Sequence, residues 1–182
     1  AEEFYRQSDT QRLILVGTDK NVARFRELLS HRLRSMVIGE ISAEANATPA
    51  ELQQRASDLA RQEAERAGDE LADVIITAAH KGANGVLGLA GTLNAVQTGR
   101  AQHVVLLAGF SQPAYRFKGS SFVVLSPEEA AATGSSEELE NLPDAVDSVL
   151  RRSLLNGVGV TVLADHPALE RNGKIGALAR YS

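Results

Sequence analysis

Four aliphatic residues in a row, Leu13-Ile14-Leu15-Val16, run into Gly17-Thr18-Asp19, and Val22, Phe25, Leu28 and Leu29 then return at intervals of three and four. A short unbroken apolar run reads as a buried strand, and the three-four spacing as one face of a helix, so this stretch predicts a strand, a turn and an amphipathic helix. Met36-Val37-Ile38 predicts a second strand. Thr48-Pro49-x-Glu51 carries the marks of a helix start: a hydroxyl cap, proline at the first helical position and an acid placed to bond back to the cap. From Leu52 the apolar positions continue through Ala56, Leu59, Ala60, Ala64, Ala67, Leu71, Val74, Ile75 and Ala78, across Gly68. This is either one helix of about seven turns or two helices parted at the glycine. Thin alanine packing before Gly68 and bulkier packing after it predict a domain boundary there, giving domains at 1–67 and 68–182.

The second stretch alternates. The pattern predicts a helix over 86–98, strands over 103–108 and 121–125, a helix over 144–155, and strands over 159–164 and 175–181, with Gly99, Gly157 and Gly173 in turns. Such alternation implies an α/β fold with a mixed sheet between helices. Between Glu128 and Asp147 lie seven acids and no base. That segment predicts a solvated flexible loop, or, on a sharper reading, an acidic docking segment for a basic partner.

Composition narrows the function. With 182 residues, 43% of them apolar, the chain can bury a core, which excludes disorder and fibre. A formal charge of -4 means that nucleic-acid affinity cannot come from bulk charge and must come from a local patch. The absence of cysteine removes disulfides, thiol nucleophiles and thiolate metal sites and suits a reducing, cytoplasmic setting. No apolar run approaches the length of a membrane span, so no membrane partner is expected. Ala1 to Gln7 read as the last turns of a helix, which predicts that the natural protein continues upstream.

Few motifs carry chemistry. Gly85-x-x-Gly88-x-x-Gly91 lacks the paired glycines of a phosphate loop and is expected to serve close packing on a helix face. Gly17-Thr18-Asp19 is expected to be a capped turn, with Thr18 or Asp19 as cap; nucleotide binding there would make the chain a small-molecule enzyme, the remotest reading. His31, His80, His103 and His166 lie far apart, without metal-ligand spacing, and are expected at the surface or at strand edges. No catalytic residue, cofactor site or metal site is assigned. The one basic concentration, Arg24, Arg26, His31, Arg32 and Arg34, with Arg100 further on, is the candidate contact for RNA or a partner. Arg116 and Lys118, interleaved with Tyr115 and Phe117, add a thinner basic element.

Three segments carry a family resemblance. Val86 to Leu107, with Gly88, Thr92, Leu93, Ala95 and Gly99 in order, Leu125-Ser126-Pro127-Glu128, and the closing Gly173-Lys174-Ile175-Gly176-Ala177-Leu178-Ala179-Arg180-Tyr181 resemble the third domain of archaeo-eukaryotic class-one release factors and Pelota, especially their bacterial relatives. The strand-glycine-helix step at Leu13 to Leu29 and the helix at Ala50 to Ala67 resemble the end of the family's middle domain. The resemblance implies a partial mixed-sheet middle domain and a third domain built as an αβα sandwich, like ribosomal proteins that bind kink-turn RNA. It implies action at the ribosome in termination or rescue, with the third domain a docking platform for a translational GTPase. The family's catalytic Gly-Gly-Gln is absent from these residues and is expected upstream of Ala1, so the chain itself is expected to be no enzyme. The alternative is a stand-alone kink-turn RNA module, but the reading positions fall on Ala90, Gly91 and Asn94, which lack the amide, carboxylate and ammonium that recognition needs.

Overall fold

A computed structural model describes residues 12–43, 47–133 and 138–181; the expected N-terminal helical stub lies outside them. The chain divides into two compact units, Ala1–Arg66 and Ala67–Ser182.

In the first unit, strand β1 (Leu13–Gly17) is followed by helices α1 (Asp19–Leu28) and α2 (His31–Ser35) and strand β2 (Val37–Ser42). The strands pair in parallel, with Leu15 opposite Glu40 and Val16 opposite Ile41, and the two helices supply the crossover that parallel strands require. Leu15, Val22, Leu29 and Leu33 form a small core, with Leu13, Met36 and Val37 packed against it. The predicted helix is present but its apolar face is only partly used: Phe25 is 48% and Leu28 76% exposed. Helix α2 escapes a periodicity search because five residues make less than two turns; Ser30 caps it, accepting from the Leu33 amide at 3.5 Å. The Gly17 turn has no side-chain cap. Thr18 holds the cap position, but only its carbonyl is engaged, by the amides of Asn21 and Val22.

Helix α3 (Pro49–His80) begins as the sequence predicts. Glu51 accepts from the Thr48 amide and hydroxyl, both at 2.9 Å, and its own amide bonds Thr48 Oγ1 at 3.4 Å. The helix is unbroken through Gly68, which is buried where a Cβ would meet Leu163 and Thr161 side chains. The glycine is there for close packing, and a domain change needs no helix break.

The second unit holds strands β3 (Gly85–Leu87), β4 (Ala101–Leu107), β5 (Ala114–Phe117), β6 (Val123–Val124), β7 (Leu139–Leu142), β8 (Gly159–Leu163) and β9 (Ile175–Ala179). Its helices are α4 (Gly88–Gln97), α5 (Pro127–Ala132), α6 (Ala145–Leu155) and α7 (Pro167–Arg171). A four-stranded sheet runs β3-β9-β4-β8, antiparallel except for the parallel pair β4 and β8. One face buries Leu89, Leu93 and Val96 of α4 with Val146 and Val149 of α6; the other buries Ala72, Ile75 and Ile76 of α3 with Leu169 of α7. This is the helix-sheet-helix layering predicted above, an α/β fold.

Gly85 to Gly91 act differently from expectation. A short strand directly precedes the helix, and Gly88, at φ 73°, makes the turn that links them. The close approach is at Gly85, where a Cβ would overlap the Ile75 carbonyl and the Ala79 nitrogen.

Among its described residues the acidic stretch is not one continuous loop. It contains α5 and β7, and β7 pairs with β5 so that Arg116 stands opposite Glu140 and Phe117 opposite Leu139. Arg116 bonds Glu140 at 2.6 Å and Lys118 bonds Glu138 at 2.8 Å. The thin basic element and the acidic run cancel across one ladder. Asp144 caps α6, accepting from Val146 N at 2.8 Å and Gln112 N at 3.2 Å. No helix among the described residues is long and apolar enough to cross a membrane.

Candidate functional site

The basic concentration lies on α1, α2 and the turn between them, and the fold uses its members unequally. Arg26 donates to Glu40 Oε1 at 3.0 Å, an exposed pair of the kind that contributes about 0–1 kcal/mol. Arg34 Nη2 donates at 3.2 Å to the carbonyls of Glu27 and Leu29, oxygens that the end of α1 leaves without helical partners. Both guanidiniums are occupied with local structure. Arg24 and Arg32 are exposed and have no side-chain partner among the described residues. Arg100 belongs to the second unit, where its Nε donates to Thr98 Oγ1 at 3.2 Å.

Arg24 borders a groove of about 510 Å³ between β1 and α1, lined by Ile14, Leu15 and Val16 on the strand and by Asn21, Val22, Phe25 and Leu28 on the helix. Val16, Phe25 and Leu28 are the exposed apolar side chains of this wall. With one cation on its rim, the groove suits an apolar segment bearing negative charge. The neighbouring Gly17 turn does not suit an anion, because Asp19 sits in the first turn of α1.

Two histidines depart from the surface or strand-edge placement expected of them. His166 is 8% exposed and caps α7: its Nδ1 accepts from Leu169 N at 3.0 Å, and Nε2 lies 3.5 Å from Asp73 Oδ1. His103 Nε2 meets Thr161 Oγ1 at 2.9 Å and its ring lies over Gly159; burial holds its pKa below the ordinary imidazole value. Both roles are structural. A sequence signal existed for His166, in the Pro167 that follows at the first helical position. Among the described residues no group of three histidines and acids is placed to hold a metal ion.

The positions that would read kink-turn RNA, Ala90 and Asn94, are exposed on α4, and Gly91 lies beside them half-buried. The surface is open, but it presents a methyl group, a bare backbone and one amide.

A family model for bacterial archaeo-eukaryotic release factor family 10 matches residues 1–61. Over that stretch, about a third of its length, the chain is similar to bacterial release factors of the archaeo-eukaryotic type. The chain also shares its fold with solved structures. Archaeal Pelota, in a structure described as ribosome-bound Pelota and ABCE1, superimposes over 99% of this chain with a TM-score of 0.57 at 15% identity. Saccharomyces cerevisiae Dom34, described as a translation termination-like factor interacting with Hbs1, covers 99% with a TM-score of 0.54 at 11% identity. The C-terminal domain of a Methanosarcina mazei peptide chain release factor covers 76% of this chain, over 98% of its own length, with a TM-score of 0.52 at 10% identity. The chain spans only 46% of that Pelota and 50% of that Dom34. No curated protein matches it.

Proposed function

We propose that this chain comprises the end of a release-factor middle domain, residues 1–67, and a third domain, residues 68–182, of a factor acting at the ribosome in translation termination or ribosome rescue. The observation that carries this reading is the combination of the family match in the first unit with a Pelota-type fold running on through the second. The third domain serves as a docking platform, with a translational GTPase as its partner. The partners of the solved relatives, the ribosome with ABCE1 and Hbs1, support a nucleotide-hydrolysing partner at the ribosome. Arg24 and Arg32 are the contact residues of the first unit, since their guanidiniums are not engaged elsewhere. In this reading the chain itself performs no hydrolysis, because the family's Gly-Gly-Gln is absent from its sequence.

Co-sedimentation with bacterial ribosomes tests the reading. The purified chain is expected to pellet with them, the double substitution Arg24→Glu/Arg32→Glu to weaken pelleting, and peptidyl-tRNA to remain intact. Peptide release that disappears on mutating one residue of this chain would overturn the non-catalytic role, and a failure to pellet would overturn the ribosomal one.

A further inference from the structure

The two ends of the four-stranded sheet differ in charge. At the end where β4 and β8 finish, Asp165, Glu170, Arg171 and Lys174 mix both signs, and Lys174 lies 3.8 Å from Glu170. At the other end, where β3, β4 and β8 start and β9 finishes, the chain passes through residues 79–84, 98–103, 156–159 and 179–181. None of these segments contains an acid, and together they carry Lys81, Arg100 and Arg180 besides two histidines.

Backbone bonds bring these cations to one rim. Arg180 N donates to Arg100 O at 2.9 Å, Ala179 N to Asn84 O at 2.7 Å, and Lys81 lies three residues before Asn84 in the turn that closes α3. Lys81 and Arg180 are exposed, and none of the three cations has a carboxylate partner among the described residues. Favourable interaction with a helix C-terminus accounts for Lys81, beyond α3, and in part for Arg100, beyond α4. It does not account for Arg180, which follows a strand. Tyr181, 62% exposed, stands beside Arg180 and presents a ring to solvent.

We propose that this rim binds the phosphate backbone of single-stranded RNA, with Lys81, Arg100 and Arg180 on phosphates and Tyr181 stacked on a base. The chain carries a net charge of -4, so a rim free of acids is where such a polyanion can approach. The surface is distinct from Ala90, Gly91 and Asn94, which lie on α4 itself. The proposal deepens the ribosomal reading and rests on it for the identity of the RNA.

The test uses the whole chain and a mixed-sequence single-stranded RNA of about 20 nucleotides, long enough for one such site. The triple variant Lys81→Gln/Arg100→Gln/Arg180→Gln is expected to bind at least about 10-fold more weakly. The slope of log affinity against log salt should fall by roughly 2. An equal-charge control, Lys20→Gln/Arg61→Gln/Arg171→Gln, is expected to bind like the parent, and thermal melts establish that all three proteins are folded. Unchanged binding by the rim variant, or an equal loss in the control, overturns the proposal. So does poly-glutamate competing as well as RNA, which would mark the rim as a site for an acidic protein. Ribosome pelleting separates the two readings. RNA binding lost in the rim variant of a chain that never pellets with ribosomes would leave the surface standing and remove the ribosomal role.

Discussion

Helices α1 and α4 are each ten residues long, yet α1 buries one residue, Val22, whereas α4 buries Leu89, Thr92, Leu93, Ala95 and Val96. Both sequences have apolar residues at helical spacing. The difference lies in what each helix packs against. Helix α4 covers a four-stranded sheet beside α6, while α1 covers a parallel pair, and two strands offer too little surface to bury a helix face. Amphipathic spacing thus shows which face of a helix is apolar and not whether the fold covers it. The first unit is accordingly expected to be the less stable, and its groove the more adaptable surface.

The sharpest way to break this comparison is to add the same methyl group in each unit. Gly85→Ala would press a Cβ onto the backbone of α3, which cannot step aside, and should destabilise the second unit by about 3 kcal/mol or more, read as a drop in its urea midpoint. Gly39→Ala meets no backbone but the Leu59 side chain, its nearest methyl 2.5 Å and its Cγ 3.1 Å away, which can shift; the expected cost is within about 1 kcal/mol. Equal costs would show that the first unit is packed as rigidly as the second.

Truncation sharpens the contrast. Leu93→Ala, at a site 3% exposed, should cost about 2–4 kcal/mol, and Phe25→Ala, at a site 48% exposed, less than about 1 kcal/mol by the same denaturation measurement. Asp144→Ala removes the acceptor for the Val146 amide at the start of α6 and for the Gln112 amide, and should cost about 1–2 kcal/mol in the second unit alone.

Acid separates the units last and least. The neutral form of His103 is favoured by burial, so its stabilising contribution is complete above the ordinary imidazole value, about 6.5, and is lost as the pH falls below it. The Thr48 amide and hydroxyl hold the Glu51 carboxyl below its ordinary range. Its contribution survives to about pH 4 and disappears as the pH falls through the lowered value. Amide protection factors followed from neutral pH downwards should therefore drop first around β4 and β8, and only later at the first turn of α3.

Much of this architecture was legible because it is local. The capping box at Thr48, the strands near 103–108 and 159–164 and the helix near 144–155 each declare themselves within a few residues. What escaped depends on partners distant in sequence. Arg116 looked like a basic element and Glu140 like part of an acidic loop until β5 and β7 paired them. Of the candidate arginines, the sequence located the cluster on α1 and α2, but only the positions of Glu40 and of the α1 carbonyls reveal that Arg26 and Arg34 are already engaged. Lys81 and Arg180 were invisible as neighbours, since 99 residues separate them and only the strand order of the sheet brings them to one rim.

The imidazole that caps α7 gives the second unit an internal reporter. A ring that accepts an amide hydrogen at Nδ1 must carry its own proton on Nε2, so the Leu169 amide selects one of two tautomers that are otherwise close in energy. Nitrogen chemical shifts of labelled His166 would read that selection directly, and exchange between tautomers would register the detachment of α7 from the sheet before any loss of helix became measurable.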